Sequence, residues 1–163
     1  MIVEYVKGNA ISLFLSGKYQ MFAHGCNIFN RMGSGIAKEV KERLPDLYSL
    51  DLTTVSGDRS KLGTTMGVPV GKGHAFNMYT QATFWDPADM LSYDAVRQCF
   101  IQLDDWIVKL RMCADHPENI PKTLCIPKIG AGLAQGDWTK IEAIINEVTP
   151  NIDITVVEFD GSK

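Results

Sequence analysis

One unit occurs twice in this chain and constrains its fold more than any other feature: a short apolar run, a glycine-rich turn, then an amphipathic helical pattern. In the first copy, Tyr19–Ala23 leads through His24-Gly25-Cys26-Asn27 to Met32-Gly33-Ser34-Gly35. Beyond it Ile36, Ala37, Val40 and Leu44 fall at helical spacing, with Lys38, Glu39, Lys41 and Glu42 on the other face and Pro45 where the helix is expected to stop. In the second copy, Lys122–Ile129 leads through Gly130-Ala131-Gly132 to a helical pattern over Trp138–Val148. A strand that turns tightly into a helix belongs to a layered α/β domain, where helices cover the sheet faces.

The remaining patterns fit the same architecture. Ile2–Val6 reads as a strand ending at the turn pair Gly8-Asn9, and Thr65–Val70 and His74–Thr80 as a strand pair joined by Gly71-Lys72-Gly73. A long helix is expected from Asp94 through Val96, Phe100, Leu103, Ile107 and Leu110, and a last strand over Ile152–Phe159. Ser49–Lys61 is polar and reads as a surface connection. No repeat, low-complexity stretch or linker interrupts the chain, so its 163 residues are expected to form one domain, 1–163, with a mainly parallel or mixed sheet.

Charge and cysteine usage narrow the partners. The net charge is −3 and the Lys and Arg residues are scattered; a protein that neutralises many phosphates of a nucleic acid normally carries a basic face. A small anionic ligand needs only local donors and stays open. The N-terminus lacks the pattern of a signal peptide, and no apolar run is long enough to span a membrane. Cys26, Cys99, Cys113 and Cys125 are irregularly spaced, without a C-x-x-C pair. They read as free thiols, and a cytoplasmic location is the simplest expectation. The histidines and carboxylates show no metal-ligand spacing, so no metal is expected.

In open α/β sheets ligands sit outside the carboxyl ends of the strands, where both glycine turns are expected. Glycines let backbone N–H groups approach an anion, and the helix that follows points its positive end at the same place. The run Met32-Gly33-Ser34-Gly35-Ile36-Ala37 therefore reads either as a phosphate cradle or as a tight turn; it is neither a Walker loop nor a full dinucleotide fingerprint. Two such loops at one sheet edge suit the two sides of a diphosphate. Asp137 reads as a helix cap before Trp138. His24, beside the first loop, reads either as an acid–base group or as a histidine satisfied by backbone groups. Cys26 reads as a small buried hydrophobe. Asn27 and Asn30 suit ribose hydroxyls and are equally ordinary turn residues. Tyr79, Phe84 and Trp85 suit a base or sugar, or plain packing.

With these motifs in order, the chain resembles the macrodomain family, the three-layer α/β/α fold with a central mixed sheet that binds ADP-ribose. The resemblance rests on Val6-Lys7-Gly8-Asn9-Ala10-Ile11, on His24-Gly25-Cys26-Asn27 with Met32–Ala37, and on Ile126-Pro127-Lys128-Ile129-Gly130-Ala131-Gly132-Leu133. It is nearest to the subgroup of yeast-type ADP-ribose-1″-phosphate phosphatases and terminal ADP-ribose protein glycohydrolases. It implies adenine at Gly8, Asn9 and Ala10, where Asn9 replaces the usual Asp, and the distal ribose by Asn27. It implies the diphosphate on Met32, Gly33, Ser34, Gly35 and Ile36 and on Ile129, Gly130, Ala131, Gly132 and Leu133. Further ligand contacts are implied at Tyr79, Thr80 and Gln81. The lysine and aspartate of the glycohydrolase branch correspond to Gln81, or its neighbour, and to Ala134, so that chemistry has no carriers here.

The resemblance thus implies a metal-independent phosphatase on ADP-ribose-1″-phosphate, needing no cofactor, with His24 and Asn27 as the catalytic pair. It equally allows a module that only binds ADP-ribose or an ADP-ribosylated protein, an O-acetyl-ADP-ribose deacetylase, or an ADP-ribosyl hydrolase. Neither nucleic acid nor membrane is an expected partner, and a monomer is expected.

Overall fold

The second apolar run extends further than its pattern suggests. In the computed structural model, which describes residues 1–163, β2 spans Met21–Asn27. The His24-Gly25-Cys26-Asn27 stretch, read from sequence as the start of a turn, is therefore strand. Around β2 are β1 (Ile2–Gly8), β3 (Thr65–Val70), β4 (Gly73–Gln81), β5 (Thr123–Ile126) and β6 (Asp153–Phe159). They form one six-stranded sheet in the order β1-β6-β5-β2-β4-β3. All neighbours run parallel except β3 and β4, which are antiparallel across the Gly71-Lys72 turn. The sheet is mixed, as expected.

Strand alternation divides β2 between two cores. Met21 and Ala23 pack beneath α4 (Tyr93–Cys113) and α5 (Trp138–Val148), against Phe100, Leu103, Ile141 and Ile145. Phe22 and Cys26 face the opposite layer, made by α1 (Ala10–Leu15), α2 (Gly35–Arg43) and α3 (Pro45–Leu52) through Ile11, Phe14, Val40 and Leu47. Each fully buried Leu, Ile or Phe in these layers contributes roughly 1.5–3 kcal/mol of transfer free energy.

Two helices differ from the sequence expectations. Asn9, read as a turn residue, caps α1 by accepting from the Ser12 amide at 2.9 Å. α2 stops before Pro45, as expected, but Pro45 also opens α3 at its first turn, where its missing N–H costs nothing and its fixed φ suits a helix. Leu44, at φ −126° and ψ 62°, makes the break between α2 and α3. The first part of Ser49–Lys61 is consequently the last turn of α3 rather than surface connection, and this shift carries Asp51 to the sheet edge.

Candidate functional site

The carboxyl ends of β2, β4, β5 and β6 open into one cleft of about 1040 Å³. Its size falls at the upper end of the range usual for small-molecule sites. One wall is the turn Met32–Gly35 running into α2. Ser34 occupies the N-cap of α2 but its side chain makes no capping bond. The N–H groups of Gly35, Ile36 and Ala37 donate to no protein acceptor. This leaves the positive end of a nine-residue helix uncapped at the cleft.

The facing wall is the loop after β5. Gly130 must be glycine for reasons internal to the fold: its φ is +79°, and a Cβ there would lie 2.7 Å from Leu91 Cδ1. Gly33 and Gly132 are different. A Cβ at either would meet no protein atom within 4 Å, so the fold itself does not require glycine at these two cleft positions. In the same loop the N–H groups of Gly132, Leu133 and Ala134 donate to no protein acceptor. The two loops approach each other closely, since a Cβ at Gly35 would lie 3.5 Å from Leu133 Cδ1.

Most residues expected at a ligand line this cleft: Asn27, Met32, Gly33, Ser34, Gly35, Ile36, Thr80, Gln81 and Ile129 through Leu133. Asn27 is partly committed to its own turn, with Oδ1 accepting from Phe29 N at 2.9 Å and Nδ2 donating to the Arg31 carbonyl at 3.0 Å. Asn30 is held away by Thr54 and Lys61, whose Nζ donates to Asn30 Oδ1 at 2.8 Å.

Several expected residues lie elsewhere. Gly8, Asn9 and Ala10 do not line the cleft. The Asn9 amide is fully employed, its oxygen by the α1 cap and its Nδ2 by Glu39 at 2.8 Å and the Ser162 carbonyl at 3.0 Å. Tyr79 is buried beneath the cleft floor, where its hydroxyl donates to Asp51 Oδ1 at 2.6 Å.

His24 is the largest correction. Its side chain is 0% exposed and does not line the cleft. Strand parity places it with Phe22 and Cys26, on the α1–α3 face, and the imidazole stacks on Phe22. Its Nε2 meets Asn77 Oδ1 at 2.6 Å, and Asn77 Nδ2 donates to the Leu47 carbonyl. Because an amide oxygen can only accept, the proton resides on Nε2, and Nδ1 is left buried without a partner. Burial pulls the imidazole down to about 4, opposed by the Asn77 bond. A neutral ring sealed in the core has no path for a proton to a ligand. Cys26 is likewise buried, and burial pushes its thiol well up.

Phe84, read as suited to a base or sugar, lines the cleft, as does Lys128. The cleft also holds residues that sequence reasoning did not single out: Arg31 and Glu158 line it, and Glu158 lies 3.6 Å from Lys128. Most consequential is Asp51, 1% exposed overall yet part of the cleft wall. The signal for it was present: Pro45-Asp46 followed by Leu47 and Leu50 is a helix opening, and reading it so carries the helix through position 51. Asp137, in contrast, lies outside the cleft lining and caps α5, accepting from Thr139 N at 3.0 Å.

Fold and cleft together define a three-layer α/β/α domain whose main cleft is lined by two rows of unpartnered backbone amides. No family model matches the chain. It is 33% identical over 165 residues, 98% of each protein, to an uncharacterised 17.5 kDa protein from the tk-vs intergenic region of Enterobacteria phage T4. It is 25% identical over 181 residues, 98% of this chain and 100% of the relative, to a Debaryomyces hansenii protein named ADP-ribose 1″-phosphate phosphatase. Among solved structures, the macrodomain of Mycobacterium tuberculosis DarG superimposes with a TM-score of 0.70 at 20% identity, covering 96% of this chain and 97% of that one. The fold is that of the macrodomains. No helix is long and apolar enough to cross a membrane.

Proposed function

We propose that the cleft binds ADP-ribose, with the diphosphate between the two glycine loops, and that the protein hydrolyses the terminal phosphate of ADP-ribose 1″-phosphate. The observation that carries the binding reading is the pairing of two rows of unpartnered N–H groups, Gly35–Ala37 and Gly132–Ala134, across one cleft. Gly33 before the first row and Gly132 at the start of the second are glycines whose missing Cβ serves no protein contact. An anion approaching either backbone closely accounts for both. The same preorganised donors suit charge that develops on a transferring phosphoryl group. Arg31, at the end of the cleft by Asn27, supplies a cation for a terminal phosphate. The name of the full-length yeast relative supports the choice of substrate.

The test is calorimetry with ADP-ribose together with phosphate release from ADP-ribose 1″-phosphate. Binding with turnover is expected; absence of binding overturns the reading. A second reading, a module that only binds ADP-ribose or an ADP-ribosylated protein, is favoured by the burial of His24 and by Gln81 and Ala134 at the glycohydrolase positions. Binding without turnover of the 1″-phosphate, the O-acetyl ester or a protein-linked form selects it.

A further inference from the structure

A phosphatase built on this cleft needs a group that accepts the proton of the attacking water and returns one to the departing oxygen. His24 has no access to the ligand, and the cleft contains only two carboxylates, Asp51 and Glu158. Glu158, on β6, sits beside Lys128, away from the Asn27 end. Asp51 lies by the ends of β2 and β4, near Cys26 and bonded to Tyr79.

The environment of Asp51 is that of a held, working carboxyl rather than a packing residue. Oδ1 accepts from the Tyr79 hydroxyl at 2.6 Å, which fixes the plane of the group. Oδ2 accepts no hydrogen bond from the protein, and although Asp51 is only 1% exposed the residue forms part of the cleft wall. One oxygen is therefore anchored by Tyr79, and the other has no partner in the protein.

The charges around it are few. From β4 it meets the Tyr79 hydroxyl, from β2 the Cys26 thiol, and from the turn Arg59–Lys61 the Lys61 ammonium. Lys61 is itself positioned, donating to Asn30 Oδ1 at 2.8 Å and Thr54 Oγ1 at 3.0 Å and lying 5.2 Å from the Tyr79 ring centroid. On α2, Lys41 lies over the Tyr48 ring, and β3 presents the uncharged Met66 and Val68. Burial raises the Asp51 carboxyl above the ordinary aspartate range, while the Tyr79 hydrogen bond and the Lys61 charge pull it down. The net displacement moves it toward the range in which a carboxyl exchanges protons effectively.

We propose that Asp51 is the acid–base residue of this cleft, acting through Oδ2, the oxygen the protein leaves without a partner, with Tyr79 as the residue that positions it; the assignment rests on the phosphatase reading above. As the oxygen of water bonds to phosphorus and the bond from phosphorus to the ribose 1″ oxygen breaks, Asp51 takes a proton from the water. It then passes that proton to the departing ribose oxygen. ADP-ribose and phosphate leave, and Asp51 is again a carboxylate. No metal or other reactant enters the balance.

The experiment compares wild type, Asp51→Asn and Tyr79→Phe for phosphate release from ADP-ribose 1″-phosphate across pH, and for ADP-ribose binding by calorimetry. Asp51→Asn is expected to lower turnover by about 100-fold or more while leaving ADP-ribose affinity within about threefold. Tyr79→Phe removes a bond that favours the ionised carboxyl, so the acidic limb of its rate profile is expected at higher pH than in wild type. A loss caused only by disturbed packing would lower the rate without moving that limb. Wild-type turnover with Asp51→Asn within about threefold of it, or an unmoved limb in Tyr79→Phe, overturns the role of Asp51 alone. Wild-type binding without phosphate release overturns the phosphatase reading, and the assignment falls with it.

Discussion

His24 lies directly across the β2–β4 pair from Asn77 and bonds its side-chain oxygen at 2.6 Å, and neither residue reaches the cleft. The pair ties the centre of the sheet to α3 through the bond from Asn77 to the Leu47 carbonyl at 3.0 Å. Stability is expected to follow this histidine's protonation. With an ordinary value of 6.5 and a folded value of about 4, the unfolded chain binds the extra proton between those limits. The stabilisation is complete above pH 6.5 and declines as pH falls toward about 4, by on the order of 3 kcal/mol. Urea denaturation at several pH values checks this against His24→Gln, which is expected to lose most of that dependence. A variant with the same pH dependence as wild type would show the imidazole to be uninvolved.

The same variant speaks to mechanism. Folded His24→Gln is expected to release phosphate from ADP-ribose 1″-phosphate within a few-fold of wild type, because no proton path joins the ring to the cleft. A loss of 100-fold or more, with the fold intact by circular dichroism, would restore the histidine to catalysis.

Gly33→Ala and Gly132→Ala separate ligand binding from folding. A methyl group at either position meets no protein atom within 4 Å, so the thermal midpoint is expected to stay within a degree or two. ADP-ribose affinity is expected to fall about tenfold or more, roughly 1.4 kcal/mol, as the methyl holds the diphosphate off the backbone. Calorimetry that finds unchanged affinity would remove these loops from the site.

Gly130→Ala behaves in the opposite sense. Its φ of +79° and the 2.7 Å approach to Leu91 Cδ1 predict a loss of roughly 1–3 kcal/mol in folding stability. Chemical denaturation measures this, and a neutral result would mean the loop relaxes freely.

Asp137→Ala tests a cap against a catalytic role. Losing the bond to Thr139 N is expected to lower stability by about 1 kcal/mol, with ADP-ribose affinity and turnover within about twofold of wild type. A large loss of turnover in a stable variant would bring Asp137 into the chemistry.

Features legible in the sequence are those set by local rules. The alternation of strand and helix patterns, the glycine turns between them and the cap at Asp137 depend on neighbours within a few residues. The location of the cleft was legible for the same reason, because a glycine turn leading into a helix exposes its own amides wherever it lies. The two helices that were misread, α1 and α3, follow from Asn9 as a cap and Pro45 as a helix opener, residues that local rules also allow in turns and helix ends.

Tertiary structure alone decided which side chains face the cleft. In β2 each residue points opposite to its neighbour, so His24 follows Phe22 and Cys26 onto whichever face α1, α2 and α3 cover. That face is chosen by the packing of distant helices, not by the His-x-Cys-Asn run itself. Asp51 depends on contacts of the same range: it reaches the cleft because α3 docks near the end of β4 and Tyr79 fixes its carboxyl there. Periodicity reports where a strand or helix runs; only the third dimension determines what each of its faces meets.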